Sequence, residues 1–213
     1  MEFTECVKER LALTLKSGLL CAVMLMPATT LAQSPEMVRS DESIDVATAV
    51  EAEDTAASST AASPAEQRKI TRLSGHIQRE YQVSENKAKN IVREAIRNAE
   101  QHQLDPELIL AVIAVESTFK ERAVSRVGAR GLMQVMPGSH TRKVREIGGS
   151  QQLFDPAKNI RVGSRILVNY LNIDSGNLRR ALLRYNGSLG SRSSFPDRVI
   201  RIYRDLKRIT VEG

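Results

Sequence analysis

Asp105-Pro106-Glu107-Leu108-Ile109-Leu110-Ala111-Val112-Ile113-Ala114-Val115-Glu116-Ser117 reads as one helix, and its last carboxylate organises the reading of the whole chain. Asp105 stands at an N-cap position and Pro106 at the first helical residue, where a missing N–H costs nothing. Ile109, Val112 and Ile113 precede Glu116 by seven, four and three residues, so the carboxylate shares an apolar stripe. Burial raises a carboxyl pKa, and the negative end of a helix dipole pushes the same way. A carboxylic acid that stays protonated near neutral pH can serve as a general acid. From position alone, a structural carboxylate paired with a buried arginine is an equally good reading.

The company that Glu116 keeps shifts that balance. Ser125, Gln134, Tyr185 and Asn186 are uncharged polar groups of the sort that bind sugar hydroxyls and acetamido groups. Gly128 and Gly131 supply backbone that a ligand can approach closely. They can equally serve turn geometry, and Leu132, Met133 and Met136 can be core residues.

Helical spacing continues on both sides. Ile70, Leu73, Ile77 and Tyr81 mark one helix, and Ser84 opens another with Ala88, Ile91, Val92, Ala95, Ile96 and Ala99 inward. Residues 120–136 read as irregular, and Pro137 to Ile147 as a short helix. Asp155-Pro156 opens a long helix, Leu178 to Tyr185 form the next, stopped by Asn186-Gly187, and Pro196 opens the last. Seven helices with short loops and no alternating strand give an all-α domain.

Residues 1–32 read as a secretory signal, with Lys8, Arg10 and Lys16, an apolar stretch from Leu19 to Met26, and a cleavage site after Thr30-Leu31-Ala32. A retained membrane anchor is the alternative, against which the apolar stretch is short and broken by Pro27. Cys6 and Cys21, the two cysteines, both lie in this leader, so the remainder has neither disulfides nor thiolate metal sites. Residues 33–66 hold eight acidic residues against one basic and no aromatic residue, which reads as a disordered acidic linker. From residue 67 onward, 27 basic residues stand against 14 acidic ones. Such a domain favours a polyanionic partner, and export together with the lack of interleaved aromatics points to anionic cell-wall polymer or a membrane surface rather than nucleic acid. A solvated basic surface with no partner is the bland alternative.

Glu116-Ser117-x-Phe119, then Ala123-x-Ser125-x-x-Gly128-Ala129-x-Gly131-Leu132-Met133-Gln134-x-Met136-Pro137, resembles the signature of the family 1 lytic transglycosylases. Asp155-Pro156-x-x-Asn159-Ile160-x-x-Gly163 and Arg184-Tyr185-Asn186-Gly187 resemble that family's later blocks, in the same order. The resemblance covers about residues 90–208 and implies a lysozyme-like, goose-type fold. It implies that Glu116 is the single catalytic acid/base, that the Tyr185 hydroxyl hydrogen-bonds its carboxylate, and that Asn186 forms part of the same wall. It places Ser125 and Gln134 near the sugar ring at the cleavage point, with Met133 and Met136 shaping the cleft. The implied reaction cleaves the glycosidic bond between N-acetylmuramic acid and N-acetylglucosamine in peptidoglycan, with an anhydro product and no metal or cofactor.

Gly187-Ser188-Leu189-Gly190 and Phe195 depart from the family pattern, which puts glycan preference at that loop in question. His76, His102 and His140 match no ligand spacing. The expectation is therefore a periplasmic lytic transglycosylase, with signal 1–32, linker 33–66 and helical domain 67–213. Peptidoglycan strands are its expected partner, with no nucleic acid and no membrane insertion after signal cleavage. A lysozyme-like hydrolase and a non-catalytic wall-binding module are the rivals.

Overall fold

A computed structural model describes residues 62–211. The expected secretory signal and nearly all of the expected acidic linker lie outside the described residues. The elements are α1 (Pro64–Tyr81), α2 (Glu85–His102), α3 (Pro106–Ser117), α4 (Thr141–Glu146), a 3-10 turn (Ser150–Phe154), α5 (Pro156–Ile173), α6 (Leu178–Tyr185) and α7 (Phe195–Val211). The domain is all-α, as its periodicity predicts. Among the described residues the only extended pairings are two isolated bridges, Val124 with Arg130 and Arg130 with Val135.

Local chemistry sets the helix ends. The Ser63 hydroxyl caps α1 by accepting from the Glu66 N–H at 3.2 Å, and Pro64 follows at the first helical position. α1 thus begins at Pro64, three residues before residue 67, where the sequence places the start of the helical domain. Asp155 caps α5 in the same way, accepting from the Lys158 N–H at 2.9 Å. Ser84 occupies the N-cap of α2 without a side-chain bond to the helix. Asp105 also fails to cap: its carboxylate accepts instead from the Tyr203 hydroxyl and from Lys207 Nζ on α7. Residues 137–140 form a turn rather than the start of the short helix, which spans only α4.

α3 is the central element, packed against α2 on one side and α7 on another. Every residue from Glu107 to Ala114 is buried, so the expected apolar stripe is in fact an apolar cylinder. A helix that is hydrophobic all round must be surrounded, and α3 is. Each fully buried Leu, Ile or Val here contributes on the order of 2 kcal/mol. α2 packs on α1 and α5, and α5 on α6, closing the large core around Ile91, Ile109, Ile113, Leu132 and Leu167. A second cluster, with Val135, Val144, Ile147, Leu153, Val162 and Ile166, lies among α4, the 3-10 turn and α5. Tyr185 packs against both clusters, so the end of α6 marks their junction.

Candidate active site

Glu116 sits in the last turn of α3, where the chain leaves the core. Thr118 and Phe119 follow with φ of 50° and 61°, the left-handed region, which turns the backbone sharply away from the helix axis. Phe119 is buried against the Tyr81 ring, 4.7 Å between centroids, and this anchors the turn. Ser117 is buried too, its hydroxyl donating to the Ile113 carbonyl at 3.2 Å. Glu116 is left partly exposed between two buried anchors, with no donor reaching its carboxylate among the described residues. Burial raises its pKa to about 7, against which the Arg198 charge pulls it down. The carboxyl therefore titrates near neutral pH, where it can give or take a proton.

The loop after Phe119 is built by buried amides. Asn159, fully buried on α5, accepts from the Met133 N–H at 2.8 Å and donates to the carbonyls of Arg130 (2.9 Å) and Leu153 (2.8 Å). The close approach requires glycine at 131. A Cβ there would lie 2.1 Å from the Leu153 carbonyl oxygen and 2.2 Å from Asn159 Nδ2, and φ is +75°. The bridge between Arg130 and Val135 closes the turn around Leu132 and Met133.

Ser125 and Gln134 belong to this same loop, and their side chains hold it together. The Ala129 N–H donates to Ser125 Oγ at 3.0 Å, while Gln134 Nε2 donates to the carbonyls of Ala123 (3.2 Å) and Gly131 (2.9 Å). Gln134 keeps its amide oxygen for other donors, and its own φ of 47° is held by these bonds. Met133 is placed differently from the expectation that its side chain shapes a cleft. It is fully buried in the core, seated against Gly163, where a Cβ would come within 2.4 Å of its sulfur. What Met133 offers the site is its backbone. The Tyr185 hydroxyl donates to the Met133 carbonyl at 2.8 Å, not to Glu116 as the resemblance implies. Tyr185 is nonetheless near enough to Glu116 that the carboxylate's charge, added to burial as the larger cause, raises the phenol pKa well above its usual value. With its proton committed to Met133, the Tyr185 oxygen is an acceptor, suited to face a protonated Glu116.

Tyr185 is further fixed by the edge of Tyr170, 6.4 Å away at 87°. Asn186 is exposed at the C-terminus of α6, its amide donating to the hydroxyls of Ser188 (3.2 Å) and Ser193 (3.4 Å). It thereby holds the two ends of the 187–194 loop together. Phe195 is buried in the core and so anchors that loop rather than lining its surface. The residues brought together are Glu116, Tyr185, the Met133 backbone and, from the first turn of α7, Arg198. Sequence reasoning missed Arg198: it is one of many arginines, and only packing of α7 on α3 singles it out. Among the described residues no three His, Cys, Asp or Glu side chains gather as a metal set would.

Residues 93–195 match the model of the Transglycosylase SLT domain. The chain is similar to the transglycosylase of Enterobacteria phage PRD1, with 34% identity over 108 residues, 47% of this chain and 38% of that protein. It is also similar to the membrane-bound lytic murein transglycosylase C of Edwardsiella ictaluri, with 37% identity over 108 residues, 45% of this chain and 30% of that protein. Among solved structures, an inactive mutant of the lytic transglycosylase Slt from Pseudomonas aeruginosa overlays with a TM-score of 0.44 at 29% identity, covering 55% of this chain and 22% of that one. The chain spans about a third of the length of the curated relatives it matches. Residues 93–195, which hold Glu116, the glycine loop and Tyr185, are the stretch through which the chain matches the transglycosylase SLT domain family.

Proposed function

We propose that this protein is a peptidoglycan lytic transglycosylase in which Glu116 acts alone as acid and then base. The observation that carries this reading is the state of the carboxylates. Glu116 is partly buried without a partner and poised at about 7, whereas the other carboxylates on and around α3, α5 and α7 are engaged, Asp155 as a helix cap and the rest by cations. Asp105 accepts from Lys207 and Tyr203, and Glu107 from Lys69 and Thr210. Asp174 is held by Arg180 and Arg184, and Asp197 by Arg179. None of these is free to activate water opposite Glu116, as two-carboxylate hydrolysis requires.

The proton cycle follows from that economy. Protonated Glu116 donates to the glycosidic oxygen between N-acetylmuramic acid and N-acetylglucosamine as that C–O bond breaks. The substrate's own 2-acetamido oxygen stabilises the positive charge developing at the anomeric carbon. Glu116, now a carboxylate, takes the proton of the muramyl C6 hydroxyl, whose oxygen bonds to the anomeric carbon. The 1,6-anhydro ring closes, no water is consumed, and Glu116 is protonated again. Ser125 and Gln134 shape the loop that faces the sugar, and Gln134 keeps an amide oxygen for a substrate N–H or hydroxyl. Tyr185 and Asn186 form the wall at the end of α6. Arg198 keeps the Glu116 pKa from rising further, which favours proton release to the glycosidic oxygen in the acid half of the cycle.

The same reading makes the protein exported, with residues 1–32 as its signal and the periplasm as its compartment. No helix among the described residues is long and apolar enough to cross a membrane. Mass spectrometry of digested sacculi tests the chemistry: anhydromuropeptides are expected, lighter by one water than the reducing-end products of a hydrolase. Reducing ends in their place would make the enzyme a muramidase. Sedimentation with sacculi and no soluble product from the wild type would make it a wall-binding module.

A further inference from the structure

α7 presents a second surface. Phe195, Val199 and Leu206 face the core, and Arg198, Arg201 and Arg204 follow one another at single-turn steps on the outside. The anions of this helix are already taken. Asp197 pairs with Arg179 of α6, and Asp205 with Arg208. Arg201 and Arg204 are exposed and carry no hydrogen bond or ion pair among the described residues. They stand on the rim of a concavity of about 890 Å³ whose apolar floor includes Ile200 and Tyr203. The Tyr203 hydroxyl is held by Asp105, so the ring is fixed.

We infer that this face of α7 binds the carboxylates of the stem peptides that hang from the peptidoglycan strand being cut, an inference that rests on the reading above. Three features point to that occupant. Unpartnered guanidinium forks match carboxylates in geometry and charge. The apolar floor between them accepts the aliphatic parts of a short peptide. The row is also continuous with the site, because Arg198, one turn before Arg201, is the charge that acts on Glu116. Arg198, Arg201 and Arg204 thus form one series of cations on α7, and the first of them is the charge felt at Glu116. The concavity is built from α6 and α7, and Arg201 and Arg204 lie beyond the stretch shared with the SLT domain.

The test compares the wild-type chain with the double variant Arg201→Gln/Arg204→Gln on two preparations of sacculi. One is native, and in the other the carboxylates have been converted to amides. Both arginines are exposed and unpartnered, so the variant is expected to keep the thermal midpoint of the wild type. On native sacculi the variant should sediment about tenfold more weakly, with a shallower dependence on salt. On amidated sacculi wild type and variant should bind alike. Equal binding of the two proteins to native sacculi would overturn the inference, as would an equal loss on both preparations. Loss of binding to phosphatidylglycerol vesicles, with binding to native sacculi intact, would assign the face to a membrane and also overturn it. Sedimentation reads docking whether or not product is released, so failure of the transglycosylase reading would show separately, in the product masses.

Discussion

α3 carries a carboxylate near each end, and the two have opposite fates. Glu107, in the first turn, is fully buried, yet it has Lys69 Nζ at 3.1 Å and the Thr210 hydroxyl at 3.0 Å, and it sits at the positive end of the helix dipole. Glu116, in the last turn, is less buried but has no partner and faces the negative end, and its pKa rises to about 7. Burial alone does not make a catalytic acid. The partner and the direction of the helix matter as well, and they separate a paired carboxylate from one with a raised pKa on the same twelve-residue element.

The sharpest way to break this comparison is to remove each carboxylate's proton chemistry in turn. Glu116→Gln should cut release of soluble muropeptides from sacculi by at least about a thousandfold, while Glu107→Gln should leave the specific activity of the folded enzyme within a few-fold of wild type. Comparable losses in both would mean that the two ends of α3 do not differ in role. Next in size is the partner at the quiet end. Lys69→Met leaves Glu107 buried with only a hydroxyl and should cost about 3 kcal/mol in urea denaturation at pH 7. A loss within error of zero would show that the pair is not what keeps Glu107 in place.

The reactive end has a pH signature. Between its ordinary value of 4.5 and its folded value of about 7, Glu116 holds its proton better in the folded state than in the unfolded one. That contribution is fully present below pH 4.5 and is lost as pH rises through about 7. Glu116→Gln should remove this loss and be more stable than wild type by on the order of 2 kcal/mol at pH 8, with the advantage vanishing near pH 4. Parallel stability curves for the two proteins would contradict a raised pKa. A smaller effect is expected from Tyr185→Phe, about 1 kcal/mol for the bond to the Met133 carbonyl, read as a shift in the thermal midpoint. The smallest is Arg198→Gln, which should move the alkaline limb of the activity profile to slightly higher pH, because the charge that lowers the Glu116 pKa is gone. A downward shift would place Arg198 elsewhere.

Much of the helical layout was legible from spacing alone, because an apolar face at i, i+3 and i+4 and an Asp-Pro or Ser-Pro opening are local signals. α2, α5 and α6 follow their periodicity closely. The short segments were not so readable. The 3-10 turn at Ser150–Phe154 has too few residues to show a period, and α4 is shorter than its flanking sequence suggests. In the site, Glu116 and the glycine loop stood out because a carboxylate closing an apolar run and paired glycines are unusual. Asn159 as the buried clamp of that loop is not legible in the same way. Its three bonds reach carbonyl and N–H groups far along the chain, and nothing about an asparagine in a helix announces them.

By itself the sequence determined the seven helices, the position of Glu116 at a helix end and the presence of glycine where the backbone must turn. These depend on residue spacing and on local conformational preference. Tertiary structure alone decided that α3 is enclosed on every side, that Met133 offers its carbonyl, that the Tyr185 proton goes to that carbonyl, and that the charge of Arg198 on α7 is felt by the acid. Each of these is a relation between elements distant in sequence. Desolvation and charge act through space, so only the packing of α3, α5, α6 and α7 could set them.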